Sequence, residues 1–378
     1  MNKIFSLLTI VILTSFFCNA VFAEQKQGSD YPVSTALVEA STGTVIKGEN
    51  TDLRMPQGTL CKLMTVLLTA EEIADGRLAF DTVLTASANA NMQSGAVIWL
   101  MQGESITVDE LLKAVIIGNA NDASVVLAEH IGGTEEEFVG MMNARAFELG
   151  MRDTVYKSCT GSADADGQFS TACDTAKLAS ELLKHDFLKK YFITWIDNVR
   201  SGQTELVNEN RLVRTYEGVT GMKAGRSEQS GFSLVLTAER EEAAFISVVL
   251  GCDDKDERFG IAKSLMSEGF SLYKVTSPAF SDEFLKPVTV RGGKSNAVMI
   301  KALNLEELVV PKSCSELSTA VLLPDYIEAP VKKGQIVGRV GFYNGDTLLF
   351  ETDLVAAEKI EKSDFASSMK KILYIMYG

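Results

Sequence analysis

The chain has 378 residues, a formal net charge of −14 and 46% hydrophobic residues. That length accommodates two domains and a sizeable core, and the apolar content excludes a disordered chain. The acidic balance excludes nucleic acid as an ordinary partner, and the two histidines, His130 and His185, lack metal-ligand spacing, so no metal or cofactor is expected.

Residues 1–23 read as a secretory signal peptide. Lys3 supplies the charged start, residues 4–17 the apolar stretch, and Ala20-Val21-Phe22-Ala23 the small residues for a cut after Ala23. The run is short for a membrane anchor, and Phe17 before Cys18 is too large for a lipoprotein box. The protein is therefore expected to be exported. Cleavage removes Lys3 and Cys18, taking the charge from −14 to −15 and leaving Cys61, Cys159, Cys173, Cys252 and Cys314. An odd count leaves at least one unpaired. Most read as small buried hydrophobes, and Cys159 with Cys173 is the pair to check.

Residues 33–38 and 44–47 read as a hairpin turned at Ser41-Thr42-Gly43. A polar lead-in then meets Met55-Pro56-Gln57-Gly58-Thr59-Leu60-Cys61-Lys62. Leu60, Leu63, Met64, Leu67 and Leu68 share one face of the helix that follows. Pro56 and Gly58 mark its entry, so Thr59 falls in its first turn, with Lys62 three residues on and on the same face. A hydroxyl and an ammonium side by side at a helix N-terminus form the geometry of an activated nucleophile. A lone pair of this kind is most often an ordinary helix with a threonine cap, so it needs partners elsewhere. Cys61 is a weak rival nucleophile, about 200° round the helix from Thr59.

Residues 77–106 read as loop with short strands. Thr107 to Glu110 form a capping box that opens a helix through Ile117. That helix stops at Gly118-Asn119-Ala120-Asn121-Asp122, and another runs over 123–131. The asparagines either cap helix ends or form a polar loop aimed at Lys62. A helix opens at Thr134 and ends at Gly150, and residues 171–184 form the next. Residues 186–215 move toward strand pattern, and Val219-Thr220-Gly221-Met222-Lys223-Ala224-Gly225 ends one run. Residues 232–238 and 244–250 form a clear pair of apolar strands, and a last helix spans roughly 257–273. Strands at both ends with helices between predict an α/β (α+β) fold, an antiparallel sheet flanked by helices. Short β runs take over from about Pro287, with Asn344-Gly345 as a hairpin turn between 335–343 and 347–355. Residues 359–377 read as an amphipathic helix ringed by Lys359, Lys362, Lys370 and Lys371. It is too short to span a membrane, and it either lies on one or docks on its own domain.

Three elements now stand in order: Thr59-x-x-Lys62, Asn119-Ala120-Asn121 and Lys223-Ala224-Gly225. Their order and spacing resemble the Ser-x-x-Lys, Ser-x-Asn and Lys-Thr-Gly motifs of the low-molecular-mass penicillin-binding proteins, the serine-type D-alanyl-D-alanine carboxypeptidases. The flanks Lys62-Leu63-Met64-Thr65, residues 121–130, Gly218 to Lys223 and Ala329 to Gln335 extend the resemblance over about 31–355. It implies a β-lactamase/transpeptidase-like domain over 30–275, a small all-β domain over 286–356 and a tail helix over 358–378.

The resemblance also implies a reaction. The hydroxyl of Thr59, deprotonated through Lys62, would attack the penultimate D-alanine carbonyl of a peptidoglycan stem peptide, and β-lactams would be taken as substrate mimics. Asn119 and Asn121 would complete the catalytic group, which requires both Thr59 and Asn121 within hydrogen-bond reach of Lys62. The N–H groups of Thr59 and Ser227 would hold the oxyanion. Lys223, Ala224 and Gly225 would receive the substrate carboxylate. A membrane surface would hold the C-terminal helix, as is common in the family.

Each motif departs from the pattern at a hydroxyl-bearing position. Thr59 adds a methyl that stiffens χ1, and a misplacement on the order of 1 Å can cost ~100-fold in rate. Asn119 carries an amide where a hydroxyl would relay a proton, and Ala224 has no hydroxyl. Two readings stay open: a slow carboxypeptidase, and a catalytically dead pseudoenzyme that binds peptidoglycan. A β-lactamase is disfavoured, because residues 155–175 contain no glutamate to deacylate the enzyme.

Overall fold

The computed structural model describes residues 31–161, 167–241, 243–278, 286–314, 316–365, 369 and 376. The signal segment 1–23 and most of the tail beyond 365 lie outside the described residues.

The segment STALVE, with Ala36, Leu37 and Val38 at its centre, is buried along its whole length as strand β1 (Ser34–Glu39). A strand buried on both faces belongs in the middle of a sheet. On one side it pairs with β2 (Val45–Glu49), which closes the expected hairpin. Short pairs β3–β4 (Val83–Thr85, Ser105–Thr107) and β5–β6 (Ile196–Val199, Thr204–Val207) lie apart. Strands β7 (Val219–Ser227), β8 (Gly231–Arg240) and β9 (Ala243–Cys252) complete the main sheet, in the order β2-β1-β9-β8-β7. β7 is therefore an edge.

The helices that position the site are α1 (Lys62–Ala74), α2 (Ala88–Asn91), α3 (Val108–Ile116), α4 (Asn121–Gly132), α5 (Glu135–Glu148) and α6 (Ala172–Leu183). α3 opens with the Thr107–Glu110 capping box read from the sequence. Leu63, Met64 and Leu67 of α1 join Leu111, Val125 and Val248 in one cluster on one face of the sheet. On the other face, α8 (Glu257–Leu272) buries Phe259 and Met266 against Leu234 and Phe245. Each fully buried Leu or Phe contributes roughly 2 kcal/mol. Residues 186–215, read as strand-like, begin instead with helical turns at Asp186–Leu188 and α7 (Lys189–Phe192). Tyr191 and Phe192 are buried there, and packing outweighs their strand propensity.

α8 stops one residue short of Tyr273, which turns extended at φ −122° and ψ 154°. Strand β10 (Tyr273–Thr276) then pairs with β14 (Leu308–Pro311). Beyond it come β11 (Val288–Arg291), β12 (Ala297–Val298), β13 (Ile300–Ala302), β15 (Ser318–Leu322), β16 (Tyr326–Glu328), β17 (Ile336–Asn344) and β18 (Thr347–Ala356). β17 and β18 meet at Asn344-Gly345, as the turn signal required. The tail departs from its sequence reading at its start. Ile360 bridges Val331 and is buried in the C-terminal core, and Lys362 bridges Gly293. Ile360 escapes the helical stripe because an apolar pocket on the β sheets takes it first.

Candidate active site

Gly58 begins the short turn Gly58–Cys61 that leads into α1. It takes φ +48°, and a Cβ there would strike the Arg226 carbonyl. Gly225 has the same role from the opposite side, since an added Cβ would stand 2.7 Å from Leu60 Cγ and 2.8 Å from Cδ2. The two glycines let the nucleophile turn and the edge strand β7 touch backbone to backbone.

That closeness fixes the hydroxyl of Thr59. Its Oγ1 accepts the Arg226 N–H at 3.1 Å and Nδ2 of Asn119 at 3.4 Å. Asn119 sits at φ +57°, a conformation that asparagine tolerates better than most residues. The backbone thus aims the amide at Thr59 rather than at a helix end. The first and second motifs meet here through Asn119.

Lys62 is fully buried, and its Nζ donates to the Thr160 carbonyl at 2.7 Å. Among the hydrogen bonds of the described residues, none joins it to Thr59 or Asn121, against the expectation from the motif. The carbonyl of the 155–161 loop has taken the ammonium. Burial pushes Lys62 down to about 8. Lys223 is buried as well and donates from Nζ to Val115 O at 2.9 Å and Ile116 O at 3.4 Å. It thereby caps orphan carbonyls at the C-terminus of α3. Burial first, and then the charge of Lys62, push Lys223 down to about 7.

Asn121 does not cap α4 with its side chain. Its Nδ2 donates to Ser94 O at 2.6 Å and its N–H to Ala96 O at 2.7 Å, so it grips the 94–96 loop. Among the described residues, the buried Oδ1 atoms of Asn119 and Asn121 find no hydrogen-bond partner. Ala224 joins Leu234 and Phe259 in the cluster beneath α8, whereas Lys223 reaches α3 on the opposite face, as strand alternation demands.

Ser227 is buried, and its Oγ accepts the N–H groups of Gln229 and Ser230 at 3.1 and 3.2 Å. The N–H that reaches Thr59 belongs to Arg226, one residue earlier. Backbone N–H groups alternate in direction along a strand, and Arg226 is the one turned to the open edge. Sequence reasoning also missed Arg258, whose Nη1 donates to Gly225 O at 2.8 Å and Ser233 O at 2.9 Å, pinning β7 from behind. Cys61 is fully buried, and burial holds its thiol up at about 11, protonated and out of contention as a nucleophile. Cys159 and Cys173 are both free. A separate cavity of about 360 Å³, lined by residues such as His185, Phe192 and Thr220, contains none of the motif residues.

An antiparallel sheet flanked by helices, with a hydroxyl at a helix N-terminus against an edge strand, defines the penicillin-recognising peptidase class. Residues 23–254 match the family model described as D-alanyl-D-alanine carboxypeptidase, and 273–362 match the penicillin-binding protein 5 C-terminal domain. The chain belongs to the D-alanyl-D-alanine carboxypeptidase family of low-molecular-mass penicillin-binding proteins. It is 32% identical to D-alanyl-D-alanine carboxypeptidase DacF of Bacillus subtilis over 99% of this chain and 98% of that one. It is 29% identical to DacC of Escherichia coli over 87% and 84%. Its fold matches penicillin binding protein 5 of Haemophilus influenzae at a TM-score of 0.80 and 24% identity, covering 87% of this chain and 97% of that one. An ampicillin-bound penicillin-binding protein of Listeria monocytogenes matches at a TM-score of 0.57 and 28% identity, covering 63% and 96%.

Proposed function

We propose that the chain is an exported D-alanyl-D-alanine carboxypeptidase of the cell envelope that acts slowly on peptidoglycan stem peptides through an acyl-enzyme at Thr59. The observation that carries this reading is the Thr59 hydroxyl held 3.1 Å from an edge-strand N–H, one turn before a buried lysine of lowered pKa. A carbonyl attacked by Thr59 would place its developing oxyanion near the N–H groups of Thr59 and Arg226. Lys62, near 8, is within reach of the neutral form a base needs. The slowness follows from the same contacts. Thr59 Oγ1 receives two donors and Lys62 donates to Thr160 O, so no hydrogen bond among the described residues gives the Thr59 proton an acceptor until the lysine swings over.

A pseudoenzyme that grips stem peptides without cutting them is favoured by one observation: Asn119 presents a donor to Thr59 where the family pattern has a hydroxyl. Intact-mass spectrometry after incubation with penicillin separates the two. A covalent adduct mapped to Thr59 supports the slow enzyme, and no adduct over a day at pH 8.5 overturns it. Export rests on the 1–23 segment and envelope attachment on the tail. Since Ile360 belongs to the C-terminal core, the informative truncation is after Asp364. It is expected to preserve the fold and abolish sedimentation with anionic liposomes, and equal sedimentation would remove the tail from the reading.

A further inference from the structure

The loop gripped by Asn121 leads to an unusual residue. Trp99 is 68% exposed and sits at φ +58°, while Ile98 and Leu100 on either side are each 1% exposed. A bulky side chain in the left-handed region is a true outlier, and three side chains hold the backbone around it. The carboxylate of Asp122, itself 1% exposed, accepts the Ile98 N–H at 3.0 Å and the Leu100 N–H at 3.1 Å. Arg200 Nη1 donates to the Ile98 carbonyl at 2.9 Å, and Asn91 Nδ2 to the Leu100 carbonyl at 2.8 Å. The N–H and C=O of both residues flanking the tryptophan are thus held by side chains, one buried (Asp122), one half-buried (Arg200) and one exposed (Asn91). Such a clamp sets aside the local backbone preference to turn an indole toward water.

The clamp is continuous with the site already described. Asp122 and Asn121 follow Asn119, which touches Thr59. Residues 92–103 carry no charged side chain in a chain of net charge −14. Gln93 and Gln102 are the amide side chains of this stretch, Gln93 donating back to Asn89, and Met92 and Met101 are exposed as well. An exposed flat aromatic disc on an uncharged stretch fits a neutral, ring-shaped ligand with one apolar face. A stem peptide offers mainly methyl groups and charged or polar backbone, whereas the amino-sugar polymer that carries it presents pyranose rings with a C–H face.

We infer that Trp99 is a subsite residue for the glycan: it stacks on a pyranose of the strand that bears the stem peptide, while Asp122 positions it. This rests on the peptidoglycan reading above.

The test measures binding of two probes to the full chain by titration calorimetry: N-acetylglucosamine–N-acetylmuramic acid oligosaccharide stripped of peptide, and a sugar-free stem pentapeptide. Trp99→Gly is expected to weaken glycan binding at least 10-fold, leave pentapeptide binding within 2-fold, and hold or raise Tm, because glycine relieves the positive φ. Trp99→Tyr restores most of the glycan affinity. Equal glycan binding by parent and Trp99→Gly overturns the subsite, as does an equal loss for both probes. A parent that binds the pentapeptide alone overturns the subsite and leaves the stem-peptide reading standing. A parent that binds neither overturns both.

Discussion

At Asn119 the backbone and the chemistry ask for different residues. A φ of +57° suits asparagine, while a proton relay suits a hydroxyl. Asn119→Ser is therefore expected to lose roughly 1 kcal/mol of stability and to gain acylation by penicillin on the order of 10²-fold. Stopped-flow acylation and urea unfolding on the same protein check both halves, and a variant no faster than the parent would leave the pseudoenzyme reading ahead. The acylation rate is expected to climb as pH rises through about 8, where Lys62 loses its proton. Lys62→Arg, which stays charged, is expected to abolish acylation. Ala224→Thr is a different case. It buries a hydroxyl in the cluster of Leu234 and Phe259, and the expected outcome is a loss of roughly 1–3 kcal/mol with no gain in rate.

At the scale of elements, the contact between the nucleophile turn and β7 depends on missing side chains. Gly225→Ala pushes against Leu60, so a loss of about 1–3 kcal/mol is expected, with acylation falling further as Arg226 N–H moves off Thr59. Retained activity would show that the two elements can part without cost. The sequence made much of this legible. Alternation and turn residues placed β1, β2, β8, β9 and the β17–β18 hairpin, and the three motifs came with their order. Three things were not legible. Lys62 prefers the Thr160 carbonyl, which no local pattern announces, because that loop arrives from almost a hundred residues away. The N–H that meets Thr59 belongs to Arg226 rather than Ser227, since strand phase can be read only once the edge is known. Ile360 left the tail helix for a core that its own periodicity could not reveal. β10 carries the same lesson: a C-terminal fragment beginning at 287 lacks the partner of Leu308–Pro311 and is expected to aggregate, whereas one beginning at 273 stays monomeric in analytical ultracentrifugation.

For the whole molecule, two buried lysines make stability depend on pH in an uncommon direction. Lys223 has an ordinary value near 10.5 when unfolded and about 7 when folded. Below about 7 both states carry the proton, and the folded state bears the full cost of a buried ammonium. Between about 7 and 10.5 the unfolded chain binds more protons, so stability rises with pH. Lys62 adds the same trend from about 8, while Cys61, held up to about 11, opposes it above its unfolded value near 9. From pH 7 to 9 the unfolding free energy from urea titration is expected to rise, by at most about 1.4 kcal/mol per pH unit for each lysine. Lys223→Met should flatten that rise, and an unchanged slope would mean that Lys223 stays protonated in the fold.

The main sheet has a schedule built into its strand order. β1 is synthesised first among its strands and pairs with β9, which comes last, so that Ser34 waits for Leu250. Contacts between such distant parts of a chain form slowly, because the loop between them must close before any pairing rewards it. Until β9 emerges, the buried interior strand has only its short hairpin partner, and the β7 edge has nothing to hold it beside the nucleophile turn. A chain wired this way remains unfolded through most of its own synthesis. For the export proposed above, that delay would give a translocation channel, which threads only extended polypeptide, time to take the chain.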